Sequence, residues 1–477
     1  MITIIPASGA VLIVTYIHEL DGWPTLTWDV KRLQEQLAAV RLRQGKLLGR
    51  MEALGFQHRA EAVLETLTED VLKSSEIEGE LLDKEQVRSS IARRLGMDIG
   101  ALAPADRNVE GVVEMMLDAT QSYQNPLTQE RLFAWHAALF PTGRSGMSKI
   151  IVGGWRDATS GPMQVVSGPI GRERVHFKAT RADHLAAAMQ AFLDWFGGDA
   201  PIDPILKAAV AHLWFVTIHP FDDGNGRIAR AIADLALARS ENSPQRFYSM
   251  SGQIRIERSA YYDILEATQK GSLDITAWLR WFLACLDRAF DGAEALLANV
   301  LRKGRFWEKL AGQPLSERQT AVINRLLEGF EGKMTTSKWA TITKTSTDTA
   351  LRDIDDLVLR HILVKDTAGG RSTSYSLIVT PADALRAVAA FTRAHSTISA
   401  WHTAAMPSSE EMAARQSAIE ALANQISNLA QLSETAPVTY RDFEAILGQL
   451  HELGFHPAND LVSAVAFALD RSKWGGS

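Results

Sequence analysis

Cysteine is nearly absent from this sequence: Cys285 is the one cysteine among 477 residues. A single thiol rules out an intramolecular disulfide framework, and the apolar helical pattern around it predicts a buried, unreactive side chain. The sequence also lacks a run of about 20 uncharged apolar residues, so we predict no transmembrane helix. Basic residues are not in excess, since the net charge is −6 and the isoelectric point is near 6.1. No overall positive field would therefore draw the protein to nucleic acid or to an acidic membrane.

Residues 1–17 lack the basic start and the cleavage site of a secretory signal. We expect them to form a disordered or extended leader, and we expect a cytoplasmic protein. Hydrophobic residues make up 46% of the chain and charged residues 22%, which is typical of a globular protein. Apolar residues recur at helical spacing through most of the sequence, so we predict a mostly α fold with several domains.

Twelve residues from His219 to Arg230 carry most of the recognisable chemistry; their letters are HPFDDGNGRIAR. Gly224 and Gly226 flank Asn225 and allow a turn with positive φ, whose N–H groups would form a concave anion site. A helix that begins near Gly226 would place this site at its positive end, where phosphate binds well.

The charged side chains of this stretch fit the same purpose. Arg227 and Arg230 are three residues apart, so on a helix they share a face and can reach one polyphosphate. Asp223 suits a hard cation such as Mg²⁺. His219 has an ordinary pKa that permits general base catalysis near neutrality, and Phe221 is predicted to anchor the loop in the core.

The stretch matches the signature His-Pro-Phe-x-Asp/Glu-Gly-Asn-Gly-Arg-x-x-Arg, and the chain resembles the Fic family over roughly residues 16–378. This resemblance implies an enzyme that binds ATP with Mg²⁺ and transfers AMP to a Ser, Thr or Tyr hydroxyl of a protein, with release of pyrophosphate. It implies that His219 is the catalytic base and that Asp223 holds the metal. The residues that it implies for binding ATP are Gly224, Asn225, Gly226, Arg227 and Arg230, with Tyr262 and Gln269 for the adenosine.

Residues 74–79 have two interpretations. Gly79 is a suitable residue to end a helix. Many Fic proteins also carry an inhibitory helix with the pattern Ser/Thr-x-x-x-Glu-Gly/Asn, which Ser74, Glu78 and Gly79 resemble. By that resemblance Glu78 would pair with Arg230 and occupy the position of the γ-phosphate, and it could also hold a water for the reverse reaction.

Between residues 141 and 179 the pattern becomes short and β-like, with Gly and Pro between the segments. Fic proteins have a β-hairpin flap at this position, which binds the target protein by backbone pairing. Four residues resemble its target-binding strand: Met163, Gln164, Val165 and Val166.

The resemblance and the composition predict four regions. They are an N-terminal helical region with the inhibitory helix (1–105), a Fic-type helical bundle with the flap (106–300), a winged helix (312–380) and a helical C-terminal appendage (381–477). The presumed recognition helix of the winged helix is acidic, with Asp348, Asp353, Asp355 and Asp356 against Arg352. Contact with protein or self-association as a homodimer is therefore favoured over DNA.

Three hypotheses follow. The first is an inhibited AMP transferase whose targets include the protein itself. The second is an enzyme that mainly removes AMP, or that transfers another nucleotide such as UMP. The third is a DNA-binding regulator with a nucleotide-sensing Fic region, which the intact His219 disfavours because sensing needs no base.

Overall fold

A computed structural model of the chain describes residues 15–54, 56–98, 103–159, 161–167, 172, 174–199, 201–327, 333–365 and 373–377. The chain divides into two units, residues 1–296 and 297–477. The predicted C-terminal appendage lies outside the described residues, as does the predicted leader up to residue 14. The prediction of a mostly helical fold is confirmed.

The described residues form the following helices. They are α1 (Val30–Glu52), α2 (Phe56–Ile77), α3 (Lys84–Arg94), α4 (Arg107–Gln121), α5 (Gln129–Leu139), α6 (Leu185–Gly197), α7 (Pro204–Ile218), α8 (Asn225–Glu241), α9 (Met250–Ile256), α10 (Arg258–Gln269), α11 (Thr276–Lys309), α12 (Glu317–Leu327), α13 (Thr336–Thr343) and α14 (Thr347–Leu359). The strands are β1 (Arg144–Ser145), β2 (Ser148–Lys149), β3 (Gln164–Ser167), β4 (Arg174–Lys178), β5 (Met334–Thr335), β6 (Leu363–Lys365) and β7 (Ser374–Leu377).

Helix starts follow the side chains that can cap them. Thr128 accepts a hydrogen bond from the N–H of Arg131 at the start of α5, as its position predicts. Asp203 caps α7 in the same way, and Pro204 occupies the first position of that helix, where its missing N–H costs nothing.

Helices α7 and α8 form the centre of the first unit. From residue 205 to residue 218 of α7, every residue except Lys207 is buried. Helix α8 packs against α7 with many alanines, which allow the two backbones to approach closely. The predicted motif spans the loop between these two helices and the first turns of α8, so it lies against the core.

Helix α2 ends at Ile77, so Ser74 lies in its last turn and Glu78 and Gly79 follow it. One detail differs from the sequence predictions. Tyr16 and Ile17, expected in a disordered leader, are buried, because Tyr16 packs edge-on against Phe177 at 5.2 Å.

The second unit has its own core. The predicted helices and strands occur in the predicted order, and β5 adds a third strand in the order β5-β7-β6. Helices α12, α13 and α14 pack on this sheet through a shared set of buried side chains, which includes Val322, Trp339, Ile354, Leu357 and Leu363. The predicted turn at 368–371 lies outside the described residues.

Among the described residues, no helix has both the length and the apolar character that a membrane crossing requires.

Candidate active site

His219 ends α7 in a left-handed backbone conformation, with φ at 54° and ψ at 59°. Its Nδ1 lies 3.3 Å from the carbonyl oxygen of Val216, so Nδ1 carries the ring proton and Nε2 is free to accept one. Burial lowers the pKa of His219 to about 4. The ring is therefore neutral near pH 7, in the tautomer that a general base needs.

The loop after His219 is closed by Asn225. Its Oδ1 accepts a hydrogen bond of 2.9 Å from the N–H of Phe221, and its Nδ2 donates one of 2.8 Å to the carbonyl oxygen of Phe221. Phe221 itself is fully buried and stacks on His136 with ring centres 4.2 Å apart. Its predicted role as the apolar anchor is confirmed. The side chain of Asn225 thus holds the loop closed, and its backbone N–H lies at the start of α8.

Gly224 and Gly226 serve different purposes. Gly224 has φ at 81° and precedes the first residue of α8, so it makes the predicted left-handed turn. Gly226 lies inside α8, and the expectation of a turn on both sides of Asn225 was wrong at this position. A Cβ on Gly226 would lie 2.2 Å from Oε1 of Glu78. Gly226 therefore leaves room for the carboxylate of Glu78.

Arg230 contacts both polar residues of the predicted inhibitory pattern. Its Nη2 lies 2.8 Å from Oε1 of Glu78 and also donates to the carbonyl oxygen of Ser74 at 2.8 Å, while its Nε donates to Oγ of Ser74 at 2.9 Å. Its side chain is 2% exposed. Burial acts to lower the pKa of Arg230, but the Glu78 carboxylate outweighs it, so the pKa is raised. Glu78 thus provides the charge partner of a buried cation.

Arg227 has a different partner, which sequence reasoning missed. Its Nη1 lies 2.5 Å from Oε2 of Glu80. Its guanidinium also lies over the ring of Phe140, 5.1 Å from the centroid. Arg227 and Arg230 are therefore both occupied by carboxylates that come from one turn of the chain.

The end of α2 explains how one turn supplies both carboxylates. Gly79 has φ at 89°. Its N–H donates to the carbonyl oxygen of Glu76 at 3.1 Å, and the N–H of Glu80 donates to that of Ser75 at 3.0 Å. These two bonds form a Schellman helix end. The turn directs the chain back, so that Glu80 lies beside Arg227.

Asp223 is the predicted metal ligand. Its Oδ1 accepts a hydrogen bond of 2.6 Å from the N–H of Gly224, and the Ser145 hydroxyl donates to its Oδ2. The described residues include no group of three or more His, Cys, Asp or Glu that could hold a metal ion by itself. One carboxylate fits the usual site of Mg²⁺, which binds to one or two carboxylates together with substrate phosphates. The donor set thus fits a metal that binds together with a nucleotide.

Two further residues support the loop from outside the motif. The N–H of Gly153 donates to Nδ1 of His136, whose Nε2 lies 3.2 Å from the carbonyl oxygen of Asp223. Burial lowers the pKa of His136 to about 4, so it stays neutral. Arg156 donates to the carbonyl oxygen of His219. Because His136 and Arg156 contact residues that lie 87 and 63 positions away, no local pattern reveals their role.

Helix α10 holds the two residues predicted for adenosine. Tyr262 is 36% exposed, and the guanidinium of Arg258 lies 5.4 Å from its ring centre. Gln269 is buried, with Nε2 3.3 Å from Oγ1 of Thr217. Arg258 also donates to the carbonyl oxygen of Ile77, so α10 contacts the end of α2. His212 is buried and bonded to Tyr261, as expected of a packed histidine.

The predicted flap is a hairpin of β3 and β4. Gln164 pairs with Lys178 and Val165 with Phe177, and a β-bulge separates Val165 from Val166. Met163 precedes β3 and accepts a hydrogen bond from the N–H of Ala179 at 3.0 Å. Strand β3 has no second neighbouring strand among the described residues, so its outer edge offers the backbone groups that strand addition uses.

A chain of hydrogen bonds holds the flap against α10. Oγ of Ser167 lies 2.6 Å from Nε2 of His176, and Nδ1 of His176 lies 2.5 Å from Oε2 of Glu266. Arg174 and Lys270 also pair with Glu266. Burial acts to raise the pKa of Glu266, but its bonds to Lys270, His176 and Arg174 outweigh this and lower it to about 2. The flap is thus tied to the helix that carries Tyr262.

Two family models match the first unit. Residues 126–237 match the Fic/DOC family, and residues 16–97 match a domain of unknown function, DUF4172. The first match contains His219 to Arg230, and the second contains Ser74, Glu78 and Gly79. Arg230 and the turn at residues 78–80 that it contacts therefore lie in two separately matched segments.

Curated relatives are proteins named protein adenylyltransferase Fic. That of Drosophila willistoni is 34% identical over 109 residues, covering 22% of this chain and 20% of the relative. That of Drosophila mojavensis is 26% identical over 291 residues, covering 58% of this chain and 53% of the relative. The chain thus spans between a fifth and about half of the length of these relatives.

Solved structures that the chain matches are named as Fic proteins. A Fic family protein from Desulfovibrio desulfuricans G20 is 19% identical with a TM-score of 0.40, covering 72% of this chain and 96% of that chain. A Fic domain containing signaling protein from Bacteroides thetaiotaomicron is 20% identical with a TM-score of 0.41, covering 54% of this chain and 96% of that chain.

Proposed function

We propose that this protein, in which residues 126–237 form a Fic domain, transfers AMP from ATP to hydroxyl groups of proteins and that Glu78 inhibits the transfer. One observation carries the proposal: Arg227 and Arg230, each 2% exposed, follow a helix N-terminus and are paired with carboxylates. Like two carboxylates, a polyphosphate offers negative charge and pairs of oxygen atoms that two guanidinium groups can bind. The names of the curated relatives agree with this chemistry.

The reaction needs a base, and the tautomer of His219 supports that role. Nε2 of His219 would take the proton of the target hydroxyl while the hydroxyl oxygen bonds to the α-phosphorus. The bond between the α-phosphorus and the bridging oxygen breaks, and pyrophosphate leaves. A bound triphosphate would raise the pKa of His219 above its value of about 4, since a nearby negative charge favours the protonated ring.

Charge stabilisation would come from α8 and its loop. The N–H groups of Asn225 and Gly226 at the start of α8 would bind the α-phosphate and β-phosphate, as at other helix N-termini. The N–H of Gly224 would join them after releasing Asp223, to which it donates now. Arg227 would bind the β-phosphate and Arg230 the γ-phosphate. Asp223 would hold Mg²⁺, which when bound neutralises phosphate charge during transfer.

Inhibition would follow from competition for Arg230. While Glu78 holds Arg230, the γ-phosphate has no cation, so a bound ATP would have its α-phosphate out of line for attack. Glu78 is 32% exposed, so it can also hold a water molecule. Hydrolytic removal of AMP is therefore the second candidate function.

The protein partner is a second part of the proposal. We propose that the target binds along β3 by strand addition, and that targets include the protein itself.

In the second unit Asp353 is paired with Arg318, and Asp356 with Arg360. These pairs neutralise the basic side chains of Arg318 and Arg360. They favour a winged helix that contacts another protein, or a second copy in a homodimer, over one that contacts DNA.

The test follows label from α-labelled ATP on protein in the presence of Mg²⁺. We expect strong labelling with Glu78→Gly and none when His219→Ala is added. Glu85→Gly is a matched control because it removes an exposed carboxylate from the first turn of α3. Labelling of Glu78→Gly that survives His219→Ala would refute the role of His219. Release of AMP from modified protein without any labelling would favour the hydrolytic function.

A further inference from the structure

We propose that Glu80 is a second inhibitory residue, which occupies Arg227 while Glu78 occupies Arg230. The two carboxylates of the Glu-Gly-Glu turn (residues 78–80) would then fill the positions of two adjacent phosphates. This inference rests on the proposed function, because it assigns competing groups to the same nucleotide site.

The contact between Glu80 and Arg227 joins residues 147 positions apart at 2.5 Å. The Arg227 side chain is 3% exposed, whereas that of Glu80 is 49% exposed. The buried partner also packs against the ring of Phe140, whereas Glu80 reaches it from the solvent-exposed side. When the contact opens, Glu80 therefore leaves and Arg227 remains in the site, ready for another anion.

The arginines retain unused donors. Nε of Arg227 and Nη1 of Arg230 are buried and have no hydrogen-bond partner among the described residues. A buried donor without an acceptor is costly. A diphosphate has more acceptor oxygens than the two carboxylates and could also satisfy these groups, so the same arginines can exchange one ligand for the other.

The backbone links the two carboxylates. Gly79, at φ 89°, lies between them, and the Schellman bonds to Glu76 and Ser75 fix the positions of Glu78 and Glu80 together. Because both carboxylates project from one turn, a movement of the turn that releases one carboxylate also displaces the other. Nucleotide binding should therefore respond to the loss of either glutamate, and more strongly to the loss of both.

The experiment measures binding by calorimetry in the full-length protein with Mg²⁺. The ligand is the ATP analogue with a methylene group between the α-phosphorus and β-phosphorus, which cannot transfer AMP. We expect Glu80→Gln to tighten its binding about twofold to fivefold, as one half-exposed ion pair would contribute. Glu78→Gln should also tighten it, and the double variant should exceed both. Glu85→Gln is the matched control and should leave binding unchanged.

A second ligand separates competition from a general charge effect. AMP has no β-phosphate or γ-phosphate, so Glu80→Gln should not change its affinity. Equal tightening for AMP and the analogue would overturn the proposal, as would tightening with Glu78→Gln but not with Glu80→Gln. Failure of every variant to bind the analogue would instead refute the proposed function, and the role of Glu80 with it.

Discussion

Nε of Arg156 donates a hydrogen bond of 2.8 Å to the carbonyl oxygen of His219. The backbone N–H of Arg156 also donates to the carbonyl oxygen of Pro220 at 3.0 Å. Left-handed backbone costs a residue with a Cβ about 1–2 kcal/mol, so His219 needs support in this conformation. Arg156, which is 5% exposed, supplies it from the segment that precedes the flap.

Arg156→Lys should therefore slow AMP transfer while ATP binding stays nearly unchanged. Lysine keeps the charge but loses the planar donor group that reaches His219. We expect roughly a tenfold lower rate in the Glu78→Gly background, measured with α-labelled ATP. Arg181→Lys is the control, since Arg181 is 77% exposed and pairs with Asp183. Equal rates in both variants would contradict a positioning role for Arg156.

Asn225→Ala should destabilise the first unit and abolish transfer. The substitution leaves the N–H and the carbonyl oxygen of buried Phe221 without their partners, and each unsatisfied group costs about 1–3 kcal/mol. Thermal unfolding should show a lower Tm. Asn108→Ala, at an exposed position of α4, should not change it. An unchanged Tm in Asn225→Ala would mean that the loop does not depend on this side chain.

Asp223→Asn should raise the Mg²⁺ concentration needed for half-maximal transfer by roughly tenfold or more. Asparagine keeps an acceptor for the Ser145 hydroxyl but removes the charge that the metal needs. The neighbouring Asp222→Asn is a matched control, because Asp222 accepts a hydrogen bond from the N–H of Ile151 instead. If both variants shift the Mg²⁺ dependence alike, the effect belongs to the loop and not to metal binding.

Three buried histidines should make the protein less stable in mild acid. Burial lowers the pKa to about 4 for His136 and His219 and to about 3 for His212, whereas in the unfolded chain it is about 6.5. Below pH 6.5 the unfolded state therefore binds more protons. The stability that the histidines contribute is complete above pH 6.5 and is lost as the pH falls toward 4.

Thermal unfolding between pH 7.5 and pH 5 would measure this effect. Burial raises the pKa of Asp70 and Asp234, which acts in the opposite sense, so the comparison must be between variants. His212→Gln should reduce the loss of Tm in acid. His184→Gln should not, because His184 is 68% exposed. The same slope in both variants would show that His212 does not contribute.

Local patterns in the sequence were sufficient where one segment supplies all the contacts. They predicted the turn at Gly224, the helix that begins beside Gly226 and the burial of Phe221. They failed where the partner is distant in sequence: Arg156 and His136 support the motif from 63 and 87 positions away. Gly226 was predicted to lie in a turn. Its role in leaving room for Glu78 could not be predicted, because Glu78 follows a different helix, α2. Glu80 was passed over because only the folded turn brings it to Arg227.

The turn that holds Glu78 follows α2, a helix with one face in the core; its residues Ile77 and Val71 are almost fully buried. Glu78, the proposed inhibitory group, and the candidate site thus belong to one folded unit of one chain. Its effective concentration at Arg230 is set by the fold and does not change when the protein is diluted. A cell could not relieve such inhibition by separating two molecules. The balance would depend on the concentration of the nucleotide and on anything that loosens the last turn of α2.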